Sequence, residues 1–214
     1  MNSAAEPETK TWQQTKSERT RETILAAAID CFFELGYFNT TTENIAQKAG
    51  VSRGAMLHHF PTRAELIRAA VEYLHRRRLE MFTEEESTIQ QGAEHTRVEE
   101  SIDAYWRQLN TREFAVFHEL KVAARTDPEL ARVLTPILEA YDRAWAKASS
   151  QVFSDLAKSE AFTRTAYMTQ YLLEGMAASY MISGQKVPEK MLLDWLKQEL
   201  RRSYSDVSGV KRSR

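Results

Sequence analysis

Along the first third of the chain, apolar residues recur at helical spacing. Between Arg21 and Leu35, the residues Ile24, Leu25, Ala28, Cys31, Phe32 and Leu35 fall three and four apart, which predicts one apolar stripe on an amphipathic helix. Gly36 stands where a left-handed capping residue ends such a helix. A second helix begins at Thr40 or Thr41. Thr40 with Glu43 has capping-box spacing, and either hydroxyl can accept an orphan N–H. Its inner face is Ile45, Ala46 and Ala49, and Gly50 stops it. A third, short helix over 52–60 is barred from continuing by Pro61.

Farther on, 64–86 reads as a long helix with Leu66, Ala70, Val71, Leu74, Leu79 and Phe82 as its apolar points, and 87–96 as a connection. Helices over 97–109, 113–126, 137–158, 161–183 and 189–204 follow, separated by Asp127-Pro128, Thr135-Pro136 and 184–188. Pro128, Pro136 and Pro188 suit first-turn positions, where the missing N–H costs little. The pattern predicts an all-α chain of about nine helices. Residues 1–15 are polar and aperiodic and read as a disordered arm, 16–64 as one domain, 65–204 as a second helical domain and 205–214 as a disordered tail.

Composition narrows the picture. Seven Gly and five Pro in 214 residues are few for a protein of many short strands, and 43% hydrophobic residues exclude a disordered chain. The single Cys31 excludes an intramolecular disulfide and a Cys-based zinc finger. The first fifteen residues have no signal-peptide core, and no apolar run is long enough to span a membrane, so the expected location is the cytoplasm. The formal charge of −1 conceals an asymmetry. From Lys48 to Arg78 there are seven basic and two acidic residues, and from 79 to 214 there are 18 basic and 21 acidic. A basic segment beside a mildly acidic remainder is expected where one part meets phosphates. Within it, Arg76-Arg77-Arg78 reads as a solvated collar on the fourth helix.

The second and third helices, joined by Gly50-Val51, make a helix-turn-helix signature. Ala46 is small where two helices cross, Gly50 permits positive φ, and Val51 and Met56 plug the underside of the third helix. An eight-residue helix is about 12 Å long, comparable with the width of the DNA major groove.

These residues resemble the N-terminal pattern of the TetR-type bacterial transcriptional regulators. The shared positions are Arg21, Ile24-Leu25, Ala27-Ala28, Phe32, Gly36-Tyr37, Thr40-Thr41, Ile45-Ala46, Ala49-Gly50-Val51-Ser52, Gly54, His58, Phe60, Arg63 and Glu65-Leu66, in register without a gap. Leu57 departs from the pattern where the family usually has a tyrosine, His59 where an aromatic is common, and Thr42 where the residue is more often apolar. The resemblance implies that Thr41, Ser52, Arg53, Gly54, His58 and Arg63 face double-stranded DNA, with Leu57 and His59 in the same set. Arg53 suits base readout, because its fork can bind guanine O6 and N7 together. Thr41 and Ser52 are hydroxyl donors at helix starts, Gly54 allows close backbone approach, and Arg63 suits a phosphate clamp. Lys16, Arg19 and Arg21 are further candidates for arm or first-turn phosphate contacts, with solvated charge the favoured reading for Lys16.

By the same resemblance, the middle helices enclose a small-molecule effector pocket and the last two pair with a second copy as a four-helix bundle. Trp106, Phe114, Phe117, His118, Tyr141, Trp145, Tyr171 and Met176 are the candidate pocket residues, although an aromatic stripe at helical spacing is more often core than cavity. His118 either bonds a polar ligand or is an ordinary core or surface histidine. Leu172, Leu173, Met176, Ala177 and Tyr180 form an apolar band that predicts a homodimer. A two-fold dimer reads two half-sites about 34–36 Å apart, so the expected target is a palindromic operator. The reading is a ligand-responsive DNA-binding regulator, most simply a repressor released by its effector. The alternative is a helical protein-interaction module without DNA binding. The chain has no G-x-S-x-G, no phosphate-binding Gly-rich loop and no H-E-x-x-H, so no enzyme is indicated. No cofactor or metal is expected, and the adjacent His58 and His59 point to different sides of a helix, a poor metal pair.

Overall fold

The computed structural model describes residues 12–91, 97–154, 159–181 and 188–211. Among these residues every regular element is helical: α1 (Trp12–Leu35), α2 (Thr42–Ala49), α3 (Arg53–His59), α4 (Arg63–Gln91), α5 (Arg97–Leu109), α6 (Arg112–Ala124), α7 (Pro128–Val152), α8 (Glu160–Tyr180) and α9 (Glu189–Lys211). None of them is long and apolar enough to cross a membrane. The chain divides into two compact units between Ala70 and Val71, inside α4.

In the first unit, α1 packs on α2 and α2 on α3. The predicted stripe is buried apart from Leu35, which is exposed, and Ala27 and Ile29 widen it. Ile24 and Phe32 are fully buried, each stabilising the unit by roughly 1.5–3 kcal/mol relative to exposure. Tyr37, Ile45, Ala46, Met56, Phe60 and Leu66 complete this core, and Cys31 lies within it. Burial pushes the Cys31 thiol above its ordinary pKa. Helix α1 starts at Trp12, not Arg21. Residues 12–20 lack Gly and Pro and are rich in helix formers, but they are polar almost all round and so carry no periodic signal. The rest of the expected arm, 1–11, lies outside the described residues.

The second unit centres on α5, which packs against α6, α8 and α9 and buries Ile102, Ala104, Tyr105, Trp106 and Leu109. Thr111, Asp127 and Ser159 cap α6, α7 and α8 by accepting first-turn backbone N–H groups. Three boundaries differ from the sequence expectation. Helix α4 runs on to Gln91, held by Ile89, which packs with Ala104 and Phe153; 92–96 lie outside the described residues. Pro136 does not separate two helices but sits inside α7, which begins at Pro128. The residue is exposed, so the carbonyl it leaves unbonded faces solvent, while Leu130 and Leu134 are buried on the opposite side. The expected tail is helical to Lys211, and 212–214 lie outside the described residues.

Candidate nucleic-acid interface and effector cavities

The turn between α2 and α3 is set by local chemistry. Gly50 adopts φ 66°, its N–H bonding back to the Ala46 and Gln47 carbonyls, and Val51 N–H donates to the Ala46 carbonyl at 3.0 Å. This is the left-handed cap that a Cβ would strain. The capping box at the start of α2 is not Thr40 with Glu43 but Thr41 with Asn44. The Thr41 hydroxyl accepts the Asn44 N–H and donates to Asn44 Oδ1, which also takes the Thr41 N–H. Thr40 is buried and donates its hydroxyl to the Gly36 carbonyl at 2.8 Å. Ser52 caps α3 by accepting the Ala55 N–H, and its own O–H has no acceptor among the described residues.

Seven residues make α3 about 10 Å long. Met56 is its buried plug. Arg53, Gly54, Leu57 and His58 are exposed, spaced i, i+1, i+4 and i+5 on one outward face. Arg53 is 73% exposed, and its Nη1 lies 3.5 Å from Glu43 Oε1. Backbone and Thr42 hydroxyl hydrogen bonds hold the Glu43 carboxyl below its ordinary range, so it stays an anion that orients the Arg53 fork. At the other end of the helix, Arg21 stacks over Phe60 at 4.5 Å. His59 is half-buried, and desolvation together with the charges of His58 and Arg21 lowers its pKa, which favours the neutral ring. The two histidine rings do not diverge but meet edge to face at 5.5 Å. Among the described residues, no group of three metal-ligating side chains occurs. Arg63, exposed at the start of α4, lies over the Tyr37 ring at 5.3 Å. Thr62 caps α4 by accepting the Glu65 N–H.

Gly54 has no internal reason to be glycine. It is helical, and an added Cβ would meet only Ser52 Oγ, at 3.9 Å. Gly54→Ala should therefore raise the stability of the protein by about 0.5–1 kcal/mol. Its binding to a cognate duplex is expected to fall at least about fivefold, because the added methyl would stand on the face expected to meet DNA. Thermal melts and duplex titrations of the same variant check the two signs together.

In the second unit, an apolar cavity of about 90 Å³ is walled by Ile102, Tyr105, Trp145, Phe153, Phe162 and Leu200, among others. A larger cleft of about 460 Å³ lies beside it, sharing Trp145, Ser149, Phe162 and Ala166. The cleft carries Phe117, Tyr141, Tyr167 and Tyr171 together with Lys121, Asp142 and Glu174. Lys121 Nζ stands 3.6 Å from Glu174 Oε2 and 5.5 Å from the Phe117 ring. Desolvation first, and then the Glu174 charge, raise the Asp142 carboxyl above its ordinary range.

Residues 24–70 match the sequence model of the family described as "Bacterial regulatory proteins, tetR family". That match spans the whole turn geometry just described. The helix-turn-helix domain belongs to the TetR family. An uncharacterised HTH-type transcriptional regulator of Mycobacterium tuberculosis is 34% identical over 129 residues, 60% of this chain and 65% of the relative. The HTH-type transcriptional regulator CymR of Pseudomonas putida is 34% identical over 128 residues, 55% of this chain and 59% of CymR. The chain thus spans less than two thirds of the length of these curated relatives. Among solved structures, a transcriptional regulator from Rhodococcus aligns with TM-score 0.61 and 26% identity, covering 87% of this chain and 95% of that one.

On this TetR-type frame, the residues expected to face DNA fall on the surface around α3, but they are not equivalent. Thr41 has both hydroxyl functions engaged by Asn44, so it shapes the start of α2 rather than offering a free donor. Glu43 and Arg21, adjoining Arg53 and His59, complete the set. Arg21, a candidate phosphate contact from the sequence, reaches Phe60 across space, whereas Glu43 enters the sequence pattern only as a capping residue. Of the pocket candidates, Phe117, Tyr141, Trp145 and Tyr171 line the cleft, and Trp145 also lines the apolar cavity. Trp106, Phe114 and Met176 are buried in packing and line neither. Trp106 Nε1 donates to Glu189 at 2.9 Å, which satisfies it. His118 packs on Phe114 at 6.1 Å outside both walls. Phe82, Tyr105, Phe153, Phe162 and Tyr204 in the apolar cavity, and Tyr167 in the cleft, are the aromatic lining residues missing from the sequence expectation. The band expected to dimerise is also partly misplaced. Leu173, Met176 and Ala177 are buried inside the chain, while Met168 and Tyr171 on α8 and Met191 and Trp195 on α9 are exposed.

Proposed function

We propose that the protein is a ligand-responsive, sequence-specific transcriptional regulator, a homodimer that binds a palindromic operator through α3 and leaves it when a small-molecule effector occupies the second unit. The outward face of α3 carries this reading: Arg53, a glycine with no internal role, Leu57 and His58 line one side of a short helix flanked by Arg21 and Arg63. Arg53 reads bases, and Ser52, His58 and Arg63 hold the backbone. The cleft and the adjoining apolar cavity are the effector site, combining apolar walls with a few polar groups. Repression needs only ~1–3 kcal/mol of coupling between the two ligands.

Selection of bound sequences from random duplexes, followed by a salt titration on the selected duplex, tests the reading. A palindrome is expected, with affinity falling by about 10³-fold or more between ~50 and ~200 mM salt. Binding without sequence preference, or affinity insensitive to salt, overturns it.

A further inference from the structure

Arg78 does not belong to a solvated collar. Arg76 and Arg77 do, pairing with Glu80, whereas Arg78 is only 7% exposed. Its guanidinium lies 3.7 Å from the Phe117 ring centre, 4.3 Å from Tyr141 and 5.9 Å from Phe114. Its Nη1 is buried without a hydrogen-bond partner, and no carboxylate pairs with it among the described residues. Aromatic faces return part of the desolvation cost of a cation, but they offer no acceptor to an N–H. A guanidinium cannot escape by losing its proton as a lysine can. An unpaired buried cation is therefore a site prepared for an anion.

The surroundings define which anion. A void of about 10 Å³ adjoins Arg78, walled also by Tyr105, Gln108, Thr111 and Tyr141. That is room for about one oxygen-sized group. Of the nearby acids, Glu85 accepts from Gln108 Nε2 at 2.7 Å and Glu174 from the Tyr105 hydroxyl at 3.3 Å, while Asp142, which feels the Arg78 charge, is held above its ordinary range by desolvation and does not pair with it. Their charges disfavour a dianion. Tyr105 and Gln108 also form part of the wall of the 90 Å³ apolar cavity, where the buried hydroxyls of Ser101 and Thr169 have no hydrogen-bond partner among the described residues. A small polar niche with a cation thus opens beside an apolar chamber.

We infer that Arg78 anchors the carboxylate of a compact apolar monocarboxylic acid whose hydrocarbon part fills the adjoining cavity. This deepens the ligand-responsive reading and rests on it. One carboxylate oxygen takes the free Nη1–H, in a charge-assisted bond shielded from water. Phe117 and Tyr141 fix the guanidinium plane. Ser101 and Thr169 accommodate a polar substituent on the tail.

The test is calorimetric titration of the full chain with benzoate, phenylacetate, cyclohexanecarboxylate and hexanoate, each against its neutral amide at constant ionic strength. At least one acid is expected to bind ten times or more tightly than its amide. Arg78→Met should abolish that preference while leaving amide affinity unchanged, and it should melt no lower than the parent, since it removes a buried charge. Arg78→Lys, which keeps the charge but not the fork, should retain a reduced preference. Should no acid outbind its amide, or should Arg78→Met keep the preference, the inference fails. The acid-to-amide comparison on the unaltered protein decides the matter even if a variant does not fold. An acid that binds through Arg78 yet leaves the protein on its selected duplex supports the anchor and sinks the ligand-response reading instead.

Discussion

The double replacement Met168→Glu and Trp195→Glu is expected to turn a dimer into a 24.7 kDa monomer by light scattering, and to weaken binding to the selected duplex by about 10³-fold or more. The argument begins with the two faces of α8 and α9. Their inner faces bury Leu173, Met176, Ala177, Leu193, Leu196 and Leu200 within the chain. Their outer faces carry a second apolar set, in which Tyr171 is 67% and Trp195 48% exposed. A helix pair that is apolar on both sides needs a partner on the second. Gly175, exposed on α8 with open space where its Cβ would be, lets a facing helix approach closely. Both replaced residues are on the surface, so the monomer keeps its fold, which circular dichroism checks. Losing the dimer removes the second half-site, and with it close to half of the binding free energy. An unaltered protein that is already monomeric, or a double variant that stays dimeric, counts against the α8–α9 interface.

Arg53→Ala comes next in size. On the selected duplex the loss should be ~1–3 kcal/mol, or about 5- to 150-fold, confined to sequences with the preferred base at one position of each half-site. The ion pair with Glu43 sets the fork before DNA arrives, so Glu43→Gln is expected to produce a smaller loss in the same direction. If Arg53→Ala weakens all duplexes equally and lowers the salt slope, Arg53 grips a phosphate instead of reading a base.

How much of this was legible in the sequence depended on how local each feature is. The first unit is built from short-range rules: Gly36 and Gly50 at positive φ, Ser52 as a cap, and Ile24, Ala28 and Phe32 on one stripe. These depend on residues a few positions apart, and the helix-turn-helix followed from them. The capping box slipped by one residue because Thr40 and Thr41 are both competent, and burial of Thr40 decided between them. Pro136 looked like a boundary because local propensity ignores the anchoring of Leu130 and Leu134 on the same helix. Trp106 and Trp145 are indistinguishable as aromatic residues on helices. One is packed and hydrogen-bonded, the other lines two cavities, and the difference arises from α8 and α9, far away in sequence. Arg78 was hidden by its neighbours Arg76 and Arg77, since a run of three charges says nothing of which one turns inward.

The burial of Cys31 has a practical consequence. Its thiol is the single one in the chain, sits 2% exposed among the side chains that hold α1 in the first unit, and is kept protonated by its surroundings. A thiol-specific dye therefore reacts only in molecules where that unit has opened, and the labelling rate becomes a clock for the breathing of the DNA-reading head. Duplex and effector can each be added to the same cuvette to see which of them slows it.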